Sequence, residues 1–260
     1  MLSAAAFLTA SVAHGQEEDL AKKLSNPVAA MISVPFQFNY DGRIGTADKG
    51  GRSTLNLQPV VPFHLNPEWN LISRTILPII SQWNVAPGTG RQFGTGDITQ
   101  SFFLSPANPG PAGLIWGIGP VFHIPTASDD LLGTGRWGAG PTAVVLKQEG
   151  QWTFGALANH VWSFGGATRG GTSDMSVTFL QPFISYTTKD AWTFSLNAEA
   201  TYDWVADKLT VPLNAQIAKL IKVGDQPISL FVGARYYAVT PEAGPKGFGL
   251  RAGVTFLFPT

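Results

Sequence analysis

The sequence predicts an all-β fold, a closed antiparallel transmembrane β-barrel of about twelve strands. Three observations lead there. Hydrophobicity alternates with a period of two along most of the chain, and the helical period is nearly absent. Charged residues make up only 13% of the 260 residues, about half the usual share for a soluble domain, while aromatics reach 12%. Residues 98–128 contain no Asp, Glu, Lys or Arg. In a soluble sheet that stretch would aggregate, whereas on a lipid-facing wall it is ordinary.

The clearest strand sets Trp192, Phe194, Leu196, Ala198, Ala200, Tyr202 and Trp204 against Thr193, Ser195, Asn197, Glu199, Thr201 and Asp203. One face is apolar with aromatics at both ends and the other is polar, as lipid outside and a wet lumen inside require. The same alternation runs through 32–41, 54–63, 209–218 and 248–258, with weaker candidates at about 69–82, 95–105, 113–125, 135–147, 151–164, 175–187 and 227–239. Gly, Pro, Asn or Asp clusters separate them. A spanning sheet must also close, because an open edge in hydrocarbon leaves backbone groups unpaired.

Link lengths agree with a barrel whose N-terminus is periplasmic. Asn66-Pro67-Glu68, Gln148-Glu149-Gly150, Lys189-Asp190 and Gly224-Asp225-Gln226 are tight, while 86–94, 127–135 and 165–173 are longer and glycine-rich. The link 105–113 is long on the short side. Six prolines sit inside predicted strands: Pro59, Pro78, Pro120, Pro141, Pro182 and Pro212. Each removes a ladder donor, and bulges are expected there, with tolerated kinks as the alternative.

Three segments follow. Residues 1–15 read as a signal peptide without its basic start, 16–27 as a short periplasmic segment with a helical turn at Asp19–Leu24, and 28–260 as the barrel. An even strand count puts both ends of the barrel on the periplasmic side, and the C-terminal strand is the expected contact for the barrel-assembly machinery.

Composition excludes several functions. Lys+Arg 17 offsets Asp+Glu 17, so no basic field exists to hold nucleic acid. Without cysteine there are no disulfides, thiolate metal sites or cysteine nucleophiles. Asp129-Asp130 lies in a glycine-rich loop with too few further ligands for calcium. Gly133-x-Gly135-x-x-Gly138 has dinucleotide-fingerprint letters but no following helix, so it carries no mechanism. No cofactor and no metal are expected. A Ser/His hydrolase needs both side chains on one face. His160 has Ala158 and Trp162 two positions away, His123 has Val121 and Pro125, and His64 has Pro62 and Asn66. No strand alone supplies a catalytic pair, which leaves a cross-strand pair as the hydrolase alternative.

Extending the alternation places Gln37, Asn39, Asn56, Gln58, Arg74, Asn197, Glu199, Asn214, Gln216, Arg235 and Arg251 on the inner face, with His123 and Gln181 joining them. Arg74, Arg235 and Arg251 form the cationic side of the expected solute path and Glu199 the opposing field. About twelve strands lie between barrels whose interior is filled and those with an open channel, so a narrow passage and a packed interior both stay open.

The stretches Leu20–Pro27, Ile32–Gln37, Trp69–Arg74, Leu131–Gly138, Trp152–Asn159 and Phe256–Pro259 resemble a bacterial outer-membrane transporter family. That family is grouped with the meta-cleavage pathway of phenol degradation and is sometimes mislabelled neuromedin U. The resemblance implies a cell outer membrane barrel in contact with lipid, giving passive passage to small solutes, aromatic compounds among them. A non-conducting structural barrel is the remaining alternative.

Overall fold

The computed structural model describes residues 15–166 and 174–258. The signal-peptide expectation therefore falls almost entirely outside the described residues. Twelve barrel strands follow, three of them in two pieces: β1 (Ile32–Ile44), β2 (Gly50–Leu57 and Val60–Asn66), β3 (Trp69–Trp83), β4 (Arg91–Thr95 and Ile98–Pro106), β5 (Leu114–Ile124) and β6 (Arg136–Glu149). The second half comprises β7 (Trp152–Gly166), β8 (Ser176–Thr187), β9 (Trp192–Ala198 and Ala200–Asp203), β10 (Lys208–Val223), β11 (Gln226–Val239) and β12 (Gly247–Phe258). Each pairs antiparallel with the next, and β12 pairs with β1 from Ile32↔Phe258 to Tyr40↔Leu250. The sheet thus closes and has no free edge, as hydrocarbon demands.

The outer wall follows the predicted parity. Leu196, Ile118, Val232 and Leu250 are exposed, and Phe248 keeps 74% of its surface accessible. These are values for a wall solvated by lipid, since in water such a continuous apolar surface would drive association. Trp162, Phe164, Trp204, Phe248 and Phe93 ring the end that bears the longer links, and Trp152, Trp192 and Phe258 ring the other. The link between β4 and β5, carrying a short 3-10 turn at Pro111–Gly113, is the long one on the short-link side.

The bulge expectation is corrected at Pro59, Pro120, Pro141 and Pro182 and holds at Pro212 and Pro78. Register runs unbroken from Leu57↔Leu77 to Val60↔Arg74 across Pro59, through Pro120↔Pro141 and through Pro182↔Ala156. Only Pro212 and Pro78 neighbour a shift. Proline loses its N–H but keeps its carbonyl, so the ladder thins without slipping. Accordingly, Pro59 O accepts from Thr75 N at 3.1 Å, Pro212 O from Glu199 N at 3.0 Å and Pro78 O from Gly96 N at 2.8 Å.

Residues 15–24 are helical, with Lys22 and Glu18 paired at 2.8 Å one turn apart. This helix lies against the short-link mouth: Ala21, Ala29 and Met31 pack with Ala191, Leu220 and Leu257, all buried. Gln148 donates to Lys22 O at 2.9 Å. Val28 reaches deeper, into a cluster of Ile72, Phe103, Val144, Leu146 and Leu157. Gly117 makes room for it, because a Cβ there would stand 3.1 Å from Val28 Cγ1. The alternation carries no signal for this docking, since it marks which face of a strand is apolar and not what fills the lumen.

Candidate functional site: a charged lumen

Four arginines and two carboxylates meet inside the barrel. Glu199, between the two pieces of β9, lies opposite Pro212 and reaches past β10 to the two strands beyond. Its carboxylate accepts from Arg251 Nη1 and Nη2 at 3.0 Å each, and Arg235 Nη2 stands 3.2 Å away. The Arg251 pair is a two-pronged guanidinium–carboxylate contact, the geometry that fixes both groups in plane. Arg251 Nε also donates to Asn39 Oδ1 at 2.8 Å. Arg235 Nε faces Asp41 Oδ1 at 3.7 Å, and its guanidinium lies 5.2 Å from the Tyr237 ring centre. Arg52, directly opposite Asp41 in the ladder, donates to Gln82 at 2.8 Å. With Arg74, the cluster sets four positive groups against Asp41 and Glu199, a formal +2.

Arg74 stands apart from the others. It has no carboxylate in ion-pair contact among the described residues, and its Nη2 donates to Gln58 at 3.2 Å. It lines an inner cavity of about 280 Å³ together with Gln37, Gln58, Gln181, Asn197 and Gln216. The N-terminal segment, from Ala21 through Met31, forms the floor of that cavity. Asn214 donates to Asn197 at 2.8 Å, and Asn56 sits opposite Gln37 in the ladder. The structure therefore brings most of the predicted residues together in the polar part of the interior, beside the apolar cluster around Val28. It splits the expected arginine trio, binding Arg235 and Arg251 to Glu199 and leaving Arg74 on the cavity side.

His123 belongs to a different assembly. Its Nε2 lies 3.1 Å from both Asp97 Oδ2 and Thr134 Oγ1. Asp97 also accepts from Thr134 N at 2.6 Å and Ala127 N at 3.0 Å. It occupies a register shift in β4, where one extra residue re-aims the side chain. Through these bonds it ties the 125–135 link down onto the barrel, helped by Gln82 donating to Leu131 O at 3.1 Å, and Leu132 is buried. Among the described residues no group of three or more His, Asp or Glu could hold a metal.

Asp41, Arg52, Gln82 and Asp97 escaped the sequence reading. Asp41 is in the alternating set of β1, and its inward parity was the available signal. Gly96-Asp97 inside a strand, ahead of a long link, marks a bulge and was the signal for the other assembly.

A further polar cluster interrupts the outer wall. His160 Nδ1 lies 2.7 Å from Thr178 Oγ1 and its Nε2 lies 3.4 Å from Ser176 Oγ, across the β7–β8 pair. Trp204 Nε1 donates to Thr178 at 2.8 Å, and Trp162 stacks obliquely on the imidazole at 4.0 Å.

No protein-family model and no curated protein sequence matches the chain. Its structure is similar to that of an outer membrane channel from Pseudomonas putida F1, with a TM-score of 0.69 at 15% identity over 88% of this chain and 96% of that one. It is also similar to outer membrane phospholipase A from Escherichia coli, with a TM-score of 0.51 at 14% identity over 87% of this chain and 90% of that one. At such identities the likeness is one of fold. A closed barrel of this fold, with an apolar outer wall, resides in the bacterial outer membrane.

Proposed function

We propose that the barrel gives passive passage to small solutes across the outer membrane, aromatic compounds among them. The observation that carries this reading is the polar part of the interior, in which Arg74 and its amide neighbours line a cavity next to the Arg–Glu cluster. A purely structural barrel has no need of uncompensated cations in its core, because a buried charge without a partner costs several kcal/mol. The fold shared with the Pseudomonas putida channel supports the same reading, and the resemblance to phenol-degradation transporters supports the aromatic part. The lumen arginines, Glu199, the amides and His123 then form the wall that a solute meets. The N-terminal segment and the 125–135 link narrow the two ends, so passage is slow and selective by size. Liposome swelling tests this directly. Proteoliposomes should swell in small solutes such as glycine or phenol and not in a trisaccharide; no swelling in any solute, from a barrel that migrates as folded, would leave the structural reading.

The Ser176–His160–Thr178 chain favours a second reading, an interfacial ester hydrolase. With Nδ1–H donating to Thr178, His160 Nε2 is free to take the Ser176 proton as Oγ attacks an ester carbonyl. The alcohol then leaves with that proton, and water releases the acid from the acyl-serine. A fluorophosphonate probe followed by peptide mass spectrometry decides the matter. Labelling of Ser176 that is lost in His160→Ala supports hydrolysis, and no labelling retires it.

A further inference from the structure

We infer that the inner cavity is a binding site for a small aromatic monocarboxylate, with Arg74 as its charge partner. This rests on the channel reading and deepens it by naming the solute class. Three sets of observations converge on it.

The first is charge. Glu199 occupies Arg251 and Arg235, and Arg52 faces Asp41 across the β1–β2 ladder. Arg74 is the arginine that lines the cavity; its hydrogen-bond partner is an amide, and Glu199 acts on it only from beyond ion-pair contact. One guanidinium with no carboxylate in contact matches one carboxylate, which it can hold by two parallel N–H···O bonds. A dianion such as phosphate would need a second cation turned inward, and the cavity wall offers none beyond Lys23 of the N-terminal segment, which is exposed.

The second is unsatisfied polarity. Ser185 Oγ and Gln216 Oε1 are buried, line the cavity and carry no hydrogen bond to another described residue. Buried polar atoms are normally paired. A carboxylate at Arg74 would accept from the Ser185 hydroxyl and from the Gln216 amide once its N–H group is turned inward.

The third is shape. Phe183, Phe231, Val60 and Met31 supply apolar wall to the same cavity. Its volume of about 280 Å³ exceeds the roughly 150 Å³ that accommodates benzene in an apolar protein cavity. A benzene ring against the phenylalanines therefore leaves room for a carboxylate at Arg74. The floor made by Ala29 and Met31 closes one side of the site, so a bound ring has a surface to pack against.

Isothermal titration of the refolded full chain in detergent micelles with benzoate tests the inference. Saturable binding is expected, at least tenfold tighter than that of benzyl alcohol and weakened at least tenfold by Arg74→Gln. Binding that does not saturate, or that Arg74→Gln leaves unchanged, overturns it. Phe231→Ala gives an independent reading if Arg74→Gln does not refold: benzoate should weaken while acetate does not, and equal effects on both overturn the aromatic assignment. Chloride conductance of the same preparation keeps the two readings separable. Conductance without a benzoate site sinks the inference and leaves the channel, whereas benzoate binding without conductance keeps the site and sinks passive passage.

Discussion

Glu199 is the hub of the lumen network, and its removal is the sharpest test of that network. In Glu199→Gln, Arg251 loses its one carboxylate and Arg235 the nearer of its two, while their side chains stay 4% and 14% exposed. Breaking a buried ion pair by deleting one partner costs about 3–5 kcal/mol, because the remaining charge is left without compensation. Arg251 is left with only Asn39 while Arg235 keeps Asp41 at 3.7 Å, and with the partial lumen exposure of Glu199 this points to the lower part of that range, about 3–4 kcal/mol. Arg251→Met strands no charge, since Glu199 keeps Arg235 at 3.2 Å. Its cost should stay near the 1.5–3 kcal/mol typical, roughly, of losing a charged hydrogen bond. The double variant should cost less than the sum of the two by about 1–3 kcal/mol, the coupling expected of groups in direct contact. Urea unfolding in lipid vesicles, followed by tryptophan fluorescence, measures all three. If Glu199→Gln falls within about 0.5 kcal/mol of the parent, as an ordinary surface change does, water in the lumen screens these charges and the reasoning fails.

The remaining predictions address the wall and the two ends. Leu196→Arg should cost about 2–4 kcal/mol in vesicles, because Leu196 faces lipid with 58% of its surface accessible; a cost near zero would mean that the outer face has been misassigned. Asp97→Ala removes three hydrogen-bond acceptances from the 125–135 link and the contact with His123 on β5. Trypsin should then cleave at Arg136 several-fold faster in intact proteoliposomes, and an unchanged rate would show that the link is held by other contacts. Val28→Ala deletes two buried carbons from the cluster with Ile72 and Phe103, about 1.5 kcal/mol at roughly 0.8 kcal/mol per carbon. The same change should loosen the N-terminal segment and raise liposome swelling rates; stability lost without faster swelling would show that the segment does not limit passage.

The fold was legible because lipid on one side and polar groups on the other impose a strict period of two. The alternation from Trp192 to Trp204 survives in the structure even where Glu199 lacks a ladder donor opposite Pro212. Most of the strand prolines misled the reading, since a missing N–H resembles a bulge in sequence although the register at Pro120↔Pro141 never shifts. Inward parity identified Arg235, Arg251 and Glu199 as neighbours of the lumen, but not that Glu199 would bind two arginines and spare the third. That distinction depends on strand stagger and side-chain reach, which parity does not encode. Asp97 was hidden by its bulge, because a one-residue insertion reverses the face that counting assigns. Docking of Val28 into the barrel was equally invisible, since Val28 lies outside any alternating run and its partners are spread from Ile72 to Leu157.

The central claim, a passage walled by uncompensated positive charge, is tested most directly by the reversal potential of single channels in a planar bilayer under a potassium chloride gradient. An extra unit charge about 6 Å from a passing ion is worth about 0.7 kcal/mol in water, near threefold in relative permeability. Steady openings that prefer chloride, with the preference falling about threefold in Arg74→Gln, are the predicted result. A folded barrel that never opens, or one whose selectivity ignores Arg74, would contradict the account.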